Sequence, residues 1–285
     1  MATLLVIVDP SFNDLSSLKR AEQLAIDTGA QLHLFCCDYM HDISSYTSRK
    51  EAKSSTLTAN KAQLEALATP LRQEGIAVTT EACWNSHWQE AAVHASSRVG
   101  AYLILKSSPM KAPGAKSESD VHLLRKASCA VLLVRDPAPW THQRILAAIT
   151  PDSDDSGHDL LNNQIITQAH RLGQATQSTV HCVTALEQQL QIVDMFILLA
   201  DSHLPDETEV HSNEEHISQR FGVPPEQIHI HQGNPREVIL QAVEDLRVDV
   251  LIIGTVARHG VKAALIGNTA EKLLSVIDTD ILVVN

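Results

Sequence analysis

Aromatic residues are scarce in this chain, at 4% of 285 residues. With a 44% apolar share and modest Gly and Pro, that composition fits an ordinary soluble α/β protein. Basic side chains are short as well, with 22 Lys and Arg against 34 Asp and Glu and a formal net charge of −12. That balance excludes nucleic acid and anionic membrane as bulk partners. Long apolar runs are missing too. The longest block, Ile192 to Ala200, contains Asp194 and is far too short to span a bilayer. The opening MATLLVIVDP has no basic n-region and no small-residue cleavage site, so no signal peptide is expected. The five cysteines are an odd number without a C-x-x-C spacing. They exclude a disulfide framework and fit reduced thiols in a cytoplasmic protein, with Cys36 and Cys37 read as buried strand-end residues.

Catalytic motifs are equally absent. There is no G-x-S-x-G, no H-E-x-x-H, no G-x-G-x-x-G and no P-loop Gly-Lys-Ser/Thr, so no enzyme is expected. Fifteen histidines raise a metal site, yet no helix carries H-x3-H and no Cys/His set converges. His229 and His231 stand two apart on a strand and share a face, while His211 and His216 fall in a polar connector. Asp152 to Gly157 reads as a solvated acidic turn, without the bidentate Glu of a calcium loop.

What the chain does contain is a repeat. Its length suits two domains of about 140 residues each. Strand Leu4–Val8 ends at Asp9-Pro10, and a helix follows with Leu15, Leu18, Ala21 and Ala25 on one face and Gly29 as its stop. Strand Leu32–Phe35, a polar Ser/Thr-rich loop over 39–60 running into a helix, strand Ile76–Ala82, a helix over Gln89–Val99, strand Tyr102–Lys106, a helix near Val121–Lys126 and strand Ala130–Val134 complete the first copy. After Asp136-Pro137-Ala138-Pro139-Trp140 the order restarts. Ile145–Ile149 before Thr150-Pro151 matches the first strand. Leu161, Ile165, Ala169 and Leu172 before Gly173 match the first helix before Gly29. His181 falls on His33, Leu273-Leu274 on Leu123-Leu124, and Ile281–Val284 on Val131–Val134. Strands alternating with helices predict two tandem, doubly wound, mostly parallel five-stranded α/β sheets, over 1–137 and 141–285.

The copies differ after their fourth strands. The second reads Val250-Leu251-Ile252-Ile253-Gly254, a loop, then Gly267-Asn268-Thr269 opening a helix, with Thr269 a good N-cap. A strand, a glycine loop and a helix start suit an anion; the same glycines also satisfy plain turn geometry. Thr255, Arg258, His259 and Lys262 place hydroxyl and cationic groups there. The first copy instead runs Lys106-Ser107-Ser108-Pro109-Met110-Lys111-Ala112-Pro113-Gly114. It lacks the paired glycines, and Glu118 and Asp120 would repel a phosphate at the next helix.

The spacing from Gly254 to Asn268 resembles the G-x2-G-x9-G-[S/T] loop of universal stress proteins, which cradles the ribose and phosphates of ATP. Gly254 and Gly267 match; Ala257 and Asn268 depart. The second half looks like the tandem, E-type branch of that family, where Gly-Asn-Thr-Ala-Glu is a familiar ending. The resemblance implies the adenine nucleotide alpha hydrolase-like fold and a ligand that is ATP or another nucleotide, or another small phosphate-bearing molecule. It implies a second-half site at Thr150, Pro151, Thr184, Gly254, Thr255, Val256, Ala257, Arg258, His259, Gly260, Gly267, Asn268 and Thr269. Asp9 stands where ATP-binding members use an Asp, but Thr150 replaces it in the second half. The reading is a non-enzymatic cytoplasmic stress protein; the alternatives are a slow ATPase or phosphotransferase, and an interaction scaffold with apolar-ligand binding and no nucleotide. The block Gln191–Ala200 reads first as a helix packed on the core, and otherwise as an apolar wall for a greasy ligand or a partner. In single-domain members the fifth strands of two subunits pair. The resemblance therefore implies that Ala130–Val134 and Asp280–Val284 pair antiparallel in an intramolecular pseudo-dimer, which could further form a homodimer of tandem chains.

Overall fold

The computed structural model describes residues 2–110, 118–150, 156–186, 207–255 and 267–285. They form ten strands and eight α-helices that divide into two packed units: Met1–Thr141 with Thr255–Asn285, and His142–Gly254.

In the first unit, strands β1 (Thr3–Ile7), β2 (Gln31–Asp38), β3 (Val78–Trp84), β4 (Ala101–Ser107), β5 (Ala130–Val134) and β10 (Asp280–Val284) lie in the order β3-β2-β1-β4-β5-β10. The first five run parallel. Strands β1, β5 and β10 are buried along their whole length, as their unbroken apolar sequences require of strands covered on both faces. Helices α1 (Ser16–Thr28), α2 (Arg49–Gln73), α3 (Trp88–Arg98) and α4 (Glu118–Lys126) connect them. Gly29 ends α1 in the left-handed conformation at φ 66°. Helix α2 begins well before the position expected for it. Ser48 caps it by accepting from the Glu51 N–H, and Glu51 in turn accepts from the Thr47 N–H at 2.9 Å, so the polar stretch 49–60 is helical.

The fifth strands meet as expected. Strand β10 pairs antiparallel with β5, with Leu282 opposite Leu132. A buried cluster fastens its start. Asp280 accepts from Arg20 Nε at 2.8 Å, from Trp140 Nε1 at 2.9 Å and from the Arg135 N–H at 2.8 Å. Arg20 also donates to the Ala138 carbonyl and lies over the Trp140 ring.

The second unit holds β6 (Arg144–Ala148), β7 (Thr179–Leu186), β8 (Ile228–Gln232) and β9 (Val250–Gly254), in the order β9-β6-β7-β8 and parallel in its described pairings. Its helices are α5 (Ser156–Thr176), α6 (Glu207–Phe221) and α7 (Pro235–Leu246); α8 (Asn268–Leu274) belongs to the first unit. Two expectations change here. Gly173 does not stop α5, which runs on to Thr176; a Cβ at Gly173 would lie 2.9 Å from the Ser178 carbonyl and from Val180, so glycine admits a close approach of chain to helix. His216 lies on a helix and not in an irregular connector.

Candidate functional site

In open parallel sheets, ligands sit at the carboxyl ends of the strands where the winding direction reverses. In the first unit that point lies between β1 and β4, and a cleft of about 480 Å³ opens there. Asp9 and Pro10 follow β1, Cys37, Asp38 and Tyr39 end or follow β2, Asn85 follows β3, and Lys106 and Ser107 end β4. These positions come from strand ends, which is why the cleft was legible only through Asp9. The Lys106 ammonium lies 2.7 Å from the Asp120 carboxylate of α4, and Ser108 Oγ donates to the same carboxylate at 2.6 Å. Asp120 is 4% exposed. The Arg135 guanidinium donates to Ser108 Oγ and to the Ser108 carbonyl. The expected repulsion of phosphate by Asp120 thus takes a definite form: its carboxylate is inside, ion-paired with Lys106 near the end of β4.

In the second unit the reversal lies between β6 and β9. Thr150 follows β6 and is exposed; its backbone is clamped by Asn162 of α5, which accepts from the Thr150 N–H at 3.1 Å and donates to its carbonyl at 2.8 Å. Asn162 was not anticipated, because nothing in an amphipathic helix marks one asparagine as a loop clamp. Thr184, near the end of β7, is 2% exposed, and its hydroxyl meets no hydrogen-bond partner among the described residues. Gly254 ends β9 with a packing duty. A Cβ there would fall 2.5–2.8 Å from Leu161 of α5.

Thr255, Gly267, Asn268 and Thr269 belong to the first unit. The Thr255 N–H donates to the Val284 carbonyl at 2.9 Å, just as the Ser108 N–H donates to the Val134 carbonyl at 2.8 Å. This fixes Thr255 as the counterpart of Ser108, hence Ile253 of Lys106. The match of Leu273-Leu274 to Leu123-Leu124 makes Ala270 the counterpart of Asp120. Gly267, rather than Thr269, takes the cap position of α8, at φ −66° and ψ 156°. Its backbone conformation is open to any residue, so a side chain there would not strain it. Pro151, Val256, Ala257, Arg258, His259 and Gly260 lie outside the described residues, as do Asp152–Asp155 and the block Gln191–Ala200.

Among the described residues no group of three His, Cys, Asp or Glu is placed to hold a metal ion. His181 and His229 do meet across β7 and β8, Nδ1 to Nε2 at 3.1 Å with stacked rings. Burial holds both imidazoles below the ordinary histidine range, and His229 and Arg144 add to this at His181. The five cysteines are free. Burial pushes the thiols of Cys36 and Cys182 up to about 12, which makes them inert packing groups. No helix among the described residues is long and apolar enough to cross a membrane.

A sequence profile described as "Universal stress protein family" matches residues 141–285. The chain belongs to that family. It is 26% identical over 297 aligned residues to Universal stress protein E of Escherichia coli K12, covering 99% of this chain and 93% of that protein. Over 170 residues it is 31% identical to the Universal stress protein E homolog of Haemophilus influenzae, covering 57% of this chain and 54% of that one. Among solved structures, a functionally unknown protein from Pseudomonas aeruginosa PAO1 superposes with a TM-score of 0.77 at 29% identity, covering 100% of this chain and 92% of the other. A universal stress protein from Archaeoglobus fulgidus shares the fold, with a TM-score of 0.69 at 14% identity, 99% of this chain and 98% of the other being covered. The mostly parallel α/β architecture and its tandem order are thus those of universal stress proteins.

Proposed function

We propose that this universal stress protein acts by binding rather than catalysis, and that residues of its second half hold a nucleotide or another phosphate-bearing small molecule. The observation that carries the reading is the exchange of charge between the repeats. Near the end of β4 the first half has Lys106, ion-paired with the buried Asp120. The second half has Ile253 and Ala270 at those positions, so no internal carboxylate opposes an anion there. The Thr184 hydroxyl, without a hydrogen-bond partner among the described residues, supports the same reading, because a buried hydroxyl left unpaired costs about 1–3 kcal/mol until a ligand satisfies it.

The test is native mass spectrometry of freshly purified protein, followed by titration with ATP and AMP under NMR. A co-purifying ligand and shift changes at Thr150, Thr184, Gly254, Thr255 and Gly267–Thr269 are expected, without phosphate release. Shift changes at Ser107–Ser119 in place of these would overturn the assignment, and steady phosphate release would favour the ATPase reading. Gly267→Val should abolish binding while leaving the melting temperature nearly unchanged, since the cap is already in an extended conformation.

A further inference from the structure

The cleft of the first half is a formed cavity whose charge is opposite to what a phosphate needs. We propose that it binds a small organic cation, an amine carried on an aromatic or aliphatic body. Its volume of about 480 Å³ falls in the range of small-molecule sites. Among the described residues, three carboxylates line it, those of Asp9, Asp14 and Asp38, against the ammonium of Lys106.

That ammonium is already engaged. Lys106 Nζ lies 2.7 Å from Asp120 Oδ1 and donates to the Ser107 carbonyl at 3.0 Å. Among the described residues of the lining, a phosphate would therefore meet carboxylates and no unengaged lysine or arginine. The three acids, by contrast, keep capacity to accept. Asp9 takes both the Ser11 N–H and hydroxyl on a single oxygen, Oδ1. Asn60 donates to Oδ2 of Asp38 at 3.3 Å. A carboxylate offers about four acceptor positions, so each has sites left for a donor from a ligand. Asp14 is charged at neutral pH: burial opposes ionisation, but hydrogen bonds from the Ser16 hydroxyl and N–H and from Ser107, with the nearby charge of Lys106, outweigh it and hold the carboxyl below the ordinary range.

The walls suit the body of such a ligand. Tyr39 and Trp88 line the cleft, and Trp88 already accommodates an ammonium, with Lys106 Nζ 5.7 Å from its ring centroid. Acid groups for the charge and ring faces for the carbon skeleton are the combination that recognises organic amines. All of the described lining lies within residues 7–109, in the first half.

Three indoles of nearly equal size decide the matter in the full-length protein: tryptamine, tryptophol and indole-3-acetate, which carry positive, zero and negative charge. By calorimetry, tryptamine should bind at least about tenfold more tightly than tryptophol, and indole-3-acetate more weakly still. NMR shift changes should fall at Asp9, Tyr39, Asn85 and Ser107. Asp38→Asn should lower tryptamine affinity about fivefold and leave tryptophol unaffected. Equal affinity across the three indoles, no tryptamine binding at millimolar concentration, or equal loss of both ligands in Asp38→Asn would each overturn the proposal. So would AMP shifting the cleft residues. AMP titration of Gly267→Val in parallel reports on the second half alone, so the two readings fail independently.

Discussion

A methyl group added at Gly254 would press on the Leu161 side chain of α5, with all three of its nearest contacts under 3 Å. Leu161 is 9% exposed and has little room to retreat. Gly254→Ala should therefore cost about 1–3 kcal/mol by overpacking, read as a shift in the urea midpoint at constant m-value. Leu161→Ala in the same chain should make the glycine substitution nearly neutral, because the two residues share one contact. If the double variant is as destabilised as the sum of the singles, the glycine has another role. The sequence showed that a glycine was needed at this point and not why. A ligand approaching the backbone and a leucine approaching it demand the same residue, and only the fold tells which is present. Thr184 and Asp9 were easier to place, since the end of a parallel strand is where sites collect whatever the ligand. Asn162 left no trace, because its partner is a backbone twelve residues away.

The strand pair β7–β8 shows how one position can be rewritten between repeats. In the first half, His33 of β2 meets Thr79 at 2.8 Å and Glu81 at 3.1 Å, both on β3. In the second half His181 takes the place of His33, and His229 stands at the register position of Glu81. A neutral histidine can donate to another neutral histidine; two imidazolium ions cannot pair. The groups around them are His231 and Arg144, which disfavour the proton, and Glu214, which favours it at His229. Folding therefore holds both imidazoles below their unfolded value of about 6.5. The unfolded chain binds more protons in this window, so stability rises with pH. The contribution is fully present above about pH 6.5 and is lost as pH falls through the folded values. Denaturation midpoints measured from pH 7.5 down to about 5 should fall, and His229→Gln should flatten the curve. A wild-type curve that is already flat would remove the pair from the acid response. The periodicity of the strands and the doubling of His33 in His181 were readable from sequence. The contact with His229 was not, because it depends on the register between two strands 48 residues apart.

At the scale of the whole chain, its last described strand completes the sheet of the first unit. Strand β10 packs in the unit that β1 begins, and β5 would otherwise present an open edge. Val131, Leu132 and Leu133 are at most 1% exposed, and such an edge left bare is a template for pairing with other chains. Removing Ile281–Asn285 tests the closure directly. Ile281, Leu282, Val283 and Val284 are between 0% and 4% exposed. At roughly 1.5–3 kcal/mol for each buried aliphatic side chain, their loss amounts to about 6–12 kcal/mol as an upper bound. That rivals the entire stability of a typical domain, about 5–15 kcal/mol. The truncation also removes the bond from Asn285 Nδ2 to the Ala127 carbonyl, while Asp280 stays to hold Arg20 and Trp140. The truncated chain should melt far lower and self-associate through β5, as light scattering after size exclusion would show. A second variant separates the two causes: replacing Ile281–Val284 by threonines keeps a backbone on the β5 edge but gives up the apolar burial. It should melt lower without added self-association. A truncated protein that keeps the melting temperature and the mass of the full chain would mean that the β5 edge is closed by something other than β10.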